Sequence, residues 1–249
     1  MKISLDGQTV VVTGGAKRLG RAIATECAAS GANVAISYNT SGQAAEELVG
    51  KLRAEHPGQE FDAHPLEVSD PGSVREFYAA VLERFGAVQG LVNCAAIFRR
   101  TPFDVMNEAD FDDHIAANLK GPYLLCKAFG DHFLTGGGSI VNFADIYGTR
   151  PLANYIPYCV SKAGVIMLTQ GLAKALAPRV RVNCICPGTI LPPSQTQGEA
   201  DQEEELVRRV PMGRLGSPEE IAQTVVFLLG GPQFITGAIL PVDGAQNLR

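Results

Sequence analysis

The sequence lacks any apolar run approaching the roughly 20 residues that span a bilayer. It also lacks a positive balance, with a formal net charge of -5. That excludes the broad cationic field by which proteins hold duplex DNA or an anionic membrane, and no basic aromatic strip is present. A local basic pocket is still allowed. A signal-peptide core is missing too. Asp6 interrupts Met1-Lys2-Ile3-Ser4-Leu5, and Val10-Val11-Val12 is too short to supply one. The expected location is the cytoplasm. No common zinc spacing links Cys27, Cys94, Cys126, Cys159, Cys184 and Cys186. They sit in apolar segments, so packed, reduced thiols are expected rather than a metal site. There is no evident linker and no internal repeat. Of the 249 residues, 19% are charged and 46% hydrophobic, which excludes a disordered tail and allows one sizeable core.

What is present is an alternation. Short Val- and Ile-rich runs at 9–13, 34–38, 90–94, 139–143, 180–186 and 238–242 predict buried strands, with a weaker one at 61–65. Helical periodicity fills the intervals at 19–29, 43–54, 74–85, 111–133, 158–176 and 218–229. This rhythm predicts an α/β fold: a doubly wound, Rossmann-type parallel sheet flanked by helices on both faces, in a single domain over 1–249. The polar segment 190–209 departs from the rhythm, with Pro192-Pro193 and the acidic run Glu203-Glu204-Glu205. It reads either as a substrate lid or as a solvated excursion.

The first strand runs into Thr13-Gly14-Gly15-Ala16-Lys17-Arg18-Leu19-Gly20, and a helix follows. Glycines allow a tight turn and close approach of backbone to a pyrophosphate, which the free N–H groups of the helix then hold. A second strand that binds NAD ends near an acidic side chain. Here the string is Tyr38-Asn39-Thr40-Ser41, whose amide and hydroxyls can donate to a 2′-phosphate. Lys17 and Arg18 add positive charge, so NADPH is the expected cofactor.

Tyr158 and Lys162 stand four apart and share a helix face. A free tyrosine titrates near pH 10, and a nearby ammonium favours its phenolate. Tyr158 can then act as general acid in a reduction, with Lys162 tuning it and gripping the cofactor ribose. The same spacing alone also describes an ordinary surface pair.

Over nearly its whole length the chain resembles the short-chain dehydrogenase/reductase family. The resemblance rests on the Gly14 to Gly20 turn, Asn93-Cys94-Ala95-Ala96, Asn118, the Tyr158/Lys162 pair, Pro187-Gly188 and Val242-Asp243-Gly244. It implies a Rossmann-type oxidoreductase, commonly a homotetramer. It also implies a structural and proton-relay role for Asn118 and a cofactor-side role for Asn93. Pro187-Gly188 would meet the nicotinamide end, and Glu67 with Val68 would lie near the adenine.

Two departures narrow the expectation. Asp145 stands where the family normally places a catalytic serine. A carboxyl group suits a nitrogen that must gain a proton, as in reduction of a C=N bond. To act as an acid near neutral pH it needs a raised pKa. In addition, Lys17-Arg18-Leu19-Gly20 resembles the turn of pteridine reductases, and the ending Val242-Asp243-Gly244-Ala245-Gln246-Asn247-Leu248-Arg249 resembles that of this group and the related dihydromonapterin reductases. That likeness implies a pterin-like substrate held against Phe98, with Arg18, Asp145 and Tyr158 completing its site. A carbonyl reductase or alcohol dehydrogenase of the same family is the nearest alternative. A non-catalytic dinucleotide sensor is another, although it would have no use for a proton donor.

Overall fold

The computed structural model describes residues 3–190 and 200–248. The seven apolar runs form strands β1 (Thr9–Val12), β2 (Asn33–Tyr38), β3 (Phe61–Pro65), β4 (Gly90–Asn93), β5 (Gly138–Phe143), β6 (Val180–Pro187) and β7 (Ile239–Val242). They pair in the order β3-β2-β1-β4-β5-β6-β7, and every pairing is parallel. Strand alternation divides the core between the two faces. Val10 and Val12 pack into one layer and Val11 into the other. All four residues of β1 are buried, and so are all eight of β6. This is why both read as continuous apolar runs instead of alternating ones.

Helices α1 (Arg18–Ala29), α2 (Gly42–Glu55) and α8 (Pro218–Gly230) cover the first layer. Helices α3 (Pro71–Phe85), α5 (Gly121–Gly136) and α6 (Ile156–Leu176) cover the second. Their ends follow local chemistry. Asp70 caps α3 by accepting from the Gly72 and Ser73 amides, with Pro71 in the first turn. Ser217 and Glu220 form a capping box on α8. Fully buried Phe77, Phe129 and Phe133 each contribute on the order of 2 kcal/mol of apolar burial.

The expected helix over 111–133 is a longer, composite element. Helix α4 (Glu108–Ile115) passes through a π-helical stretch, Ala116–Lys120, into α5. Such bulges mark functional positions, and Asn118 lies in this one. Within the segment 190–209, residues 191–199 lie outside the described residues. The sequence pattern did not predict α7 (Ala200–Arg208), which follows them. Strand order reverses between β1 and β4, so a crevice opens beyond their carboxyl ends, where open α/β sheets take their ligands. Among the described residues, no helix is long and apolar enough to cross a membrane.

Candidate active site

A cavity of about 730 Å³ occupies that crevice. Gly14, Lys17, Arg18, Leu19 and Gly20 form one wall. Gly14 has a left-handed backbone, φ +65°, and a side chain on Gly20 would collide with the Gly14 carbonyl. Lys17 at the α1 N-cap makes no side-chain bond to the helix, so the first-turn amides are left for an anion. Arg18 also adopts positive φ, at 50°, which strains a residue with a Cβ by about 1–2 kcal/mol. The Gly14 amide donates to Ser37 Oγ (3.2 Å), and Thr13 Oγ1 accepts from the Cys94 and Ala95 amides (3.0 and 3.1 Å). These bonds clamp β1, β2 and β4 together at the switch point. The residues present therefore fit a nicotinamide dinucleotide.

Asp145 follows β5, and Tyr158 and Lys162 come from the first turns of α6. Tyr158 Oη donates to Asp145 Oδ2 at 2.6 Å, while Asp145 Oδ1 accepts from the Tyr147 amide at 2.9 Å. Lys162 Nζ donates to the Phe143 carbonyl at 2.8 Å and lies 5.7 Å from the centre of the Tyr158 ring. Phe98 stacks on Tyr155 with ring centres 4.5 Å apart and meets Tyr158 edge-on at 4.7 Å. Asp145, Phe98, Tyr155 and Tyr158 reach their places through loops or the start of α6 at the carboxyl edge of the sheet. Behind them, Asn118 bonds both backbone groups of Ile97 (2.8 and 3.0 Å) and Ser161 Oγ (3.2 Å).

The family model described as Enoyl-(Acyl carrier protein) reductase matches residues 14–246. D-threitol dehydrogenase of Mycolicibacterium smegmatis is 36% identical over 252 residues, covering 98% of this chain and 95% of that protein. The chain belongs to the short-chain dehydrogenase/reductase family. Two solved structures share the fold of this short-chain dehydrogenase/reductase. A dehydrogenase/reductase from Sinorhizobium meliloti 1021 has a TM-score of 0.91 at 31% identity, covering 99% of this chain and 97% of that one. A blue fluorescent protein from a metagenomic library, in complex with NADPH, has a TM-score of 0.89 at 32% identity, covering 97% and 98%.

The site of this short-chain dehydrogenase/reductase departs from the sequence expectation in its electrostatics. Burial pushes the Asp145 carboxyl up, as acid chemistry requires, although the Tyr147 amide, Tyr158 and Lys162 oppose the rise. Tyr158 does not move toward phenolate. Burial, with the charge and hydrogen bond of Asp145, holds its hydroxyl well above its ordinary value. Burial also lowers Lys162, against the pull of Asp145. Asp145 thus outweighs the ammonium as the neighbour that sets the phenol. Cys159, beside Tyr158, is not activated either, because burial raises its thiol.

Three placements differ from the sequence expectation. Asn93 does not face the cofactor side. Its side chain turns into the sheet, donating to Asn142 Oδ1 (2.8 Å) in the register partner on β5 and to Cys126 Sγ (3.2 Å). Tyr38, Thr40 and Ser41 stay off the cavity wall, which Asn39 reaches. Glu67 brings a carboxylate there after all, accepting from Asn39 Nδ2 at 2.7 Å. Arg18, Leu19, Glu67, Val68, Phe98, Pro187 and Gly188 line the cavity. Sequence reasoning did not single out Tyr147 and Tyr155, which also line it, as do Ser37 and, from the segment 190–209, Leu206 and Arg209. The spacing of Tyr147 and Tyr155 from Asp145 and Tyr158 was an available signal.

Proposed function

We propose that this chain is an NADPH-dependent reductase acting on a C=N bond of a pterin-like ring. The hydrogen bond of 2.6 Å between Tyr158 and Asp145 carries the reading. Bound NADPH supplies the hydride. Lys17, Arg18 and the first-turn amides would hold its phosphates, with Asn39 toward a 2′-phosphate. Lys162 and Pro187-Gly188 would hold the nicotinamide end, and Glu67 and Val68 would meet the adenine. Burial raises Asp145 toward holding a proton, and protonated Asp145 passes it to the ring nitrogen next to the carbon being reduced. The hydroxyl of Tyr158, 2.6 Å from Asp145 Oδ2, then donates to the new carboxylate. Phe98, backed by Tyr155, offers the flat ring a stacking surface. Asn118 holds the Ile97 backbone and the α6 start in register. The same proposal includes a homotetramer, by likeness to the family, a cytoplasmic location, and a lid role for the polar segment 190–209.

A second reading is a carbonyl reductase or alcohol dehydrogenase in which neutral Asp145 donates to a carbonyl oxygen. The comparisons favour it over the pterin reading, since D-threitol dehydrogenase stands among the relatives and nothing named among them reduces a pterin. Steady-state assays with NADPH, dihydropterins and a panel of ketones separate the two. Turnover of dihydropterins at least ten-fold above any ketone supports the first reading; ketone turnover with inert dihydropterins overturns it.

A further inference from the structure

The wall beside Asp145 contains a cation that neither reading uses. Arg209 lines the cavity together with Leu206, Ile190 and Tyr147. Its guanidinium pairs with Glu205 one turn earlier, and the two side chains are 52% and 65% exposed. An exposed pair of this spacing holds its partners weakly. The guanidinium has five donors, so it can keep Glu205 and still meet a second carboxylate, or exchange one for the other. Tyr147 sits half-buried in the same wall. Arg209 and Arg150 both draw its phenol downward, against burial and the charge of Asp145. Arg150 is committed elsewhere, donating to the Gln246 carbonyl at 2.7 Å. Arg209 is the cation at hand.

We infer that Arg209, with the Tyr147 hydroxyl, forms a subsite for a carboxylate carried by the substrate apart from the bond being reduced. The inference rests on the reading that this cavity holds the substrate of a reductase. The planar fork of Arg209 matches a carboxylate, and the phenol adds a neutral donor. Burial pushes the Asp145 carboxyl up, which weakens its opposition to a second carboxylate nearby. The substrate class narrows to acids: molecules with a reducible polar bond at one end and a carboxylate tail at the other.

The test uses two dihydropterins that differ only in the tail, one ending in a hydroxymethyl group and one in a carboxylate. In the parent protein kcat/KM for the acid should exceed that for the neutral compound by about ten-fold, mainly through KM, and the ratio should shrink at high salt. In Arg209→Gln the ratio should fall to about one, and Arg209→Lys should keep part of it. A parent ratio near one, or a ratio unmoved in Arg209→Gln, overturns the subsite. Should neither dihydropterin be reduced, the pterin reading fails, and ketones with and without a carboxylate then decide the subsite by the same ratio.

Discussion

The Tyr158 hydroxyl and the Asp145 carboxylate face each other across 2.6 Å, with the phenol as donor. The bond joins the end of β5 to the first turn of α6, 13 residues apart in the chain. It gives the carboxylate one partner on each oxygen, since the Tyr147 amide serves the other. Two donors stabilise the charged form and burial opposes it. The acid strength of Asp145 is the balance of the two, and the net effect is upward.

Removing the carboxyl tests its role directly. Asp145→Ala should lower kcat for C=N reduction by about 100-fold or more, the usual scale of a lost proton donor. NADPH binding, followed by cofactor fluorescence, should stay within a few-fold. Unchanged turnover would remove Asp145 from the mechanism.

The raised acid predicts a pH profile. Reduction needs protonated Asp145, so kcat should hold at low pH and decline as pH rises through the elevated pKa. Linkage has the same sign. The folded state binds this proton more tightly than the unfolded state, where the carboxyl titrates near 4. The stabilisation is full below that value and is lost as pH rises through the folded one. Asp145→Asn should therefore raise Tm by a few degrees at pH 8 and by less at pH 4. A uniform shift at both pH values would count against a buried, elevated carboxyl.

Asn118→Ala should be costly to the fold. Its side chain satisfies the N–H and C=O of Ile97, and leaving such groups unpaired costs about 1–3 kcal/mol each. Urea denaturation should show a loss of about 2–4 kcal/mol. A loss below 0.5 kcal/mol would mean that water replaces the amide fully.

Cofactor choice is open to one substitution. Asn39 is the residue of its string that reaches the cavity, and its amide is held by Glu67. Asn39→Asp sets a second carboxylate beside Glu67 and against any 2′-phosphate. The ratio of kcat/KM for NADPH over NADH should drop by about ten-fold or more. An unaltered ratio would place 2′-phosphate recognition elsewhere.

Much of the architecture was legible before any coordinates. The strands, most helices and the phosphate-binding turn depend on side-chain period, glycine and helix ends, all of which act within a few residues. The family pattern likewise identified Asp145, Tyr158, Lys162 and Asn118 as a group. Three things needed the folded chain. Parallel register placed Asn93 opposite Asn142 and turned it inward. Loops from separate crossovers brought Glu67 to Asn39 and Arg209 to the wall near Tyr147. Burial reversed the expected drift of the Tyr158 hydroxyl. Local periodicity cannot encode these, because each depends on which distant segments meet and on how much water their meeting removes.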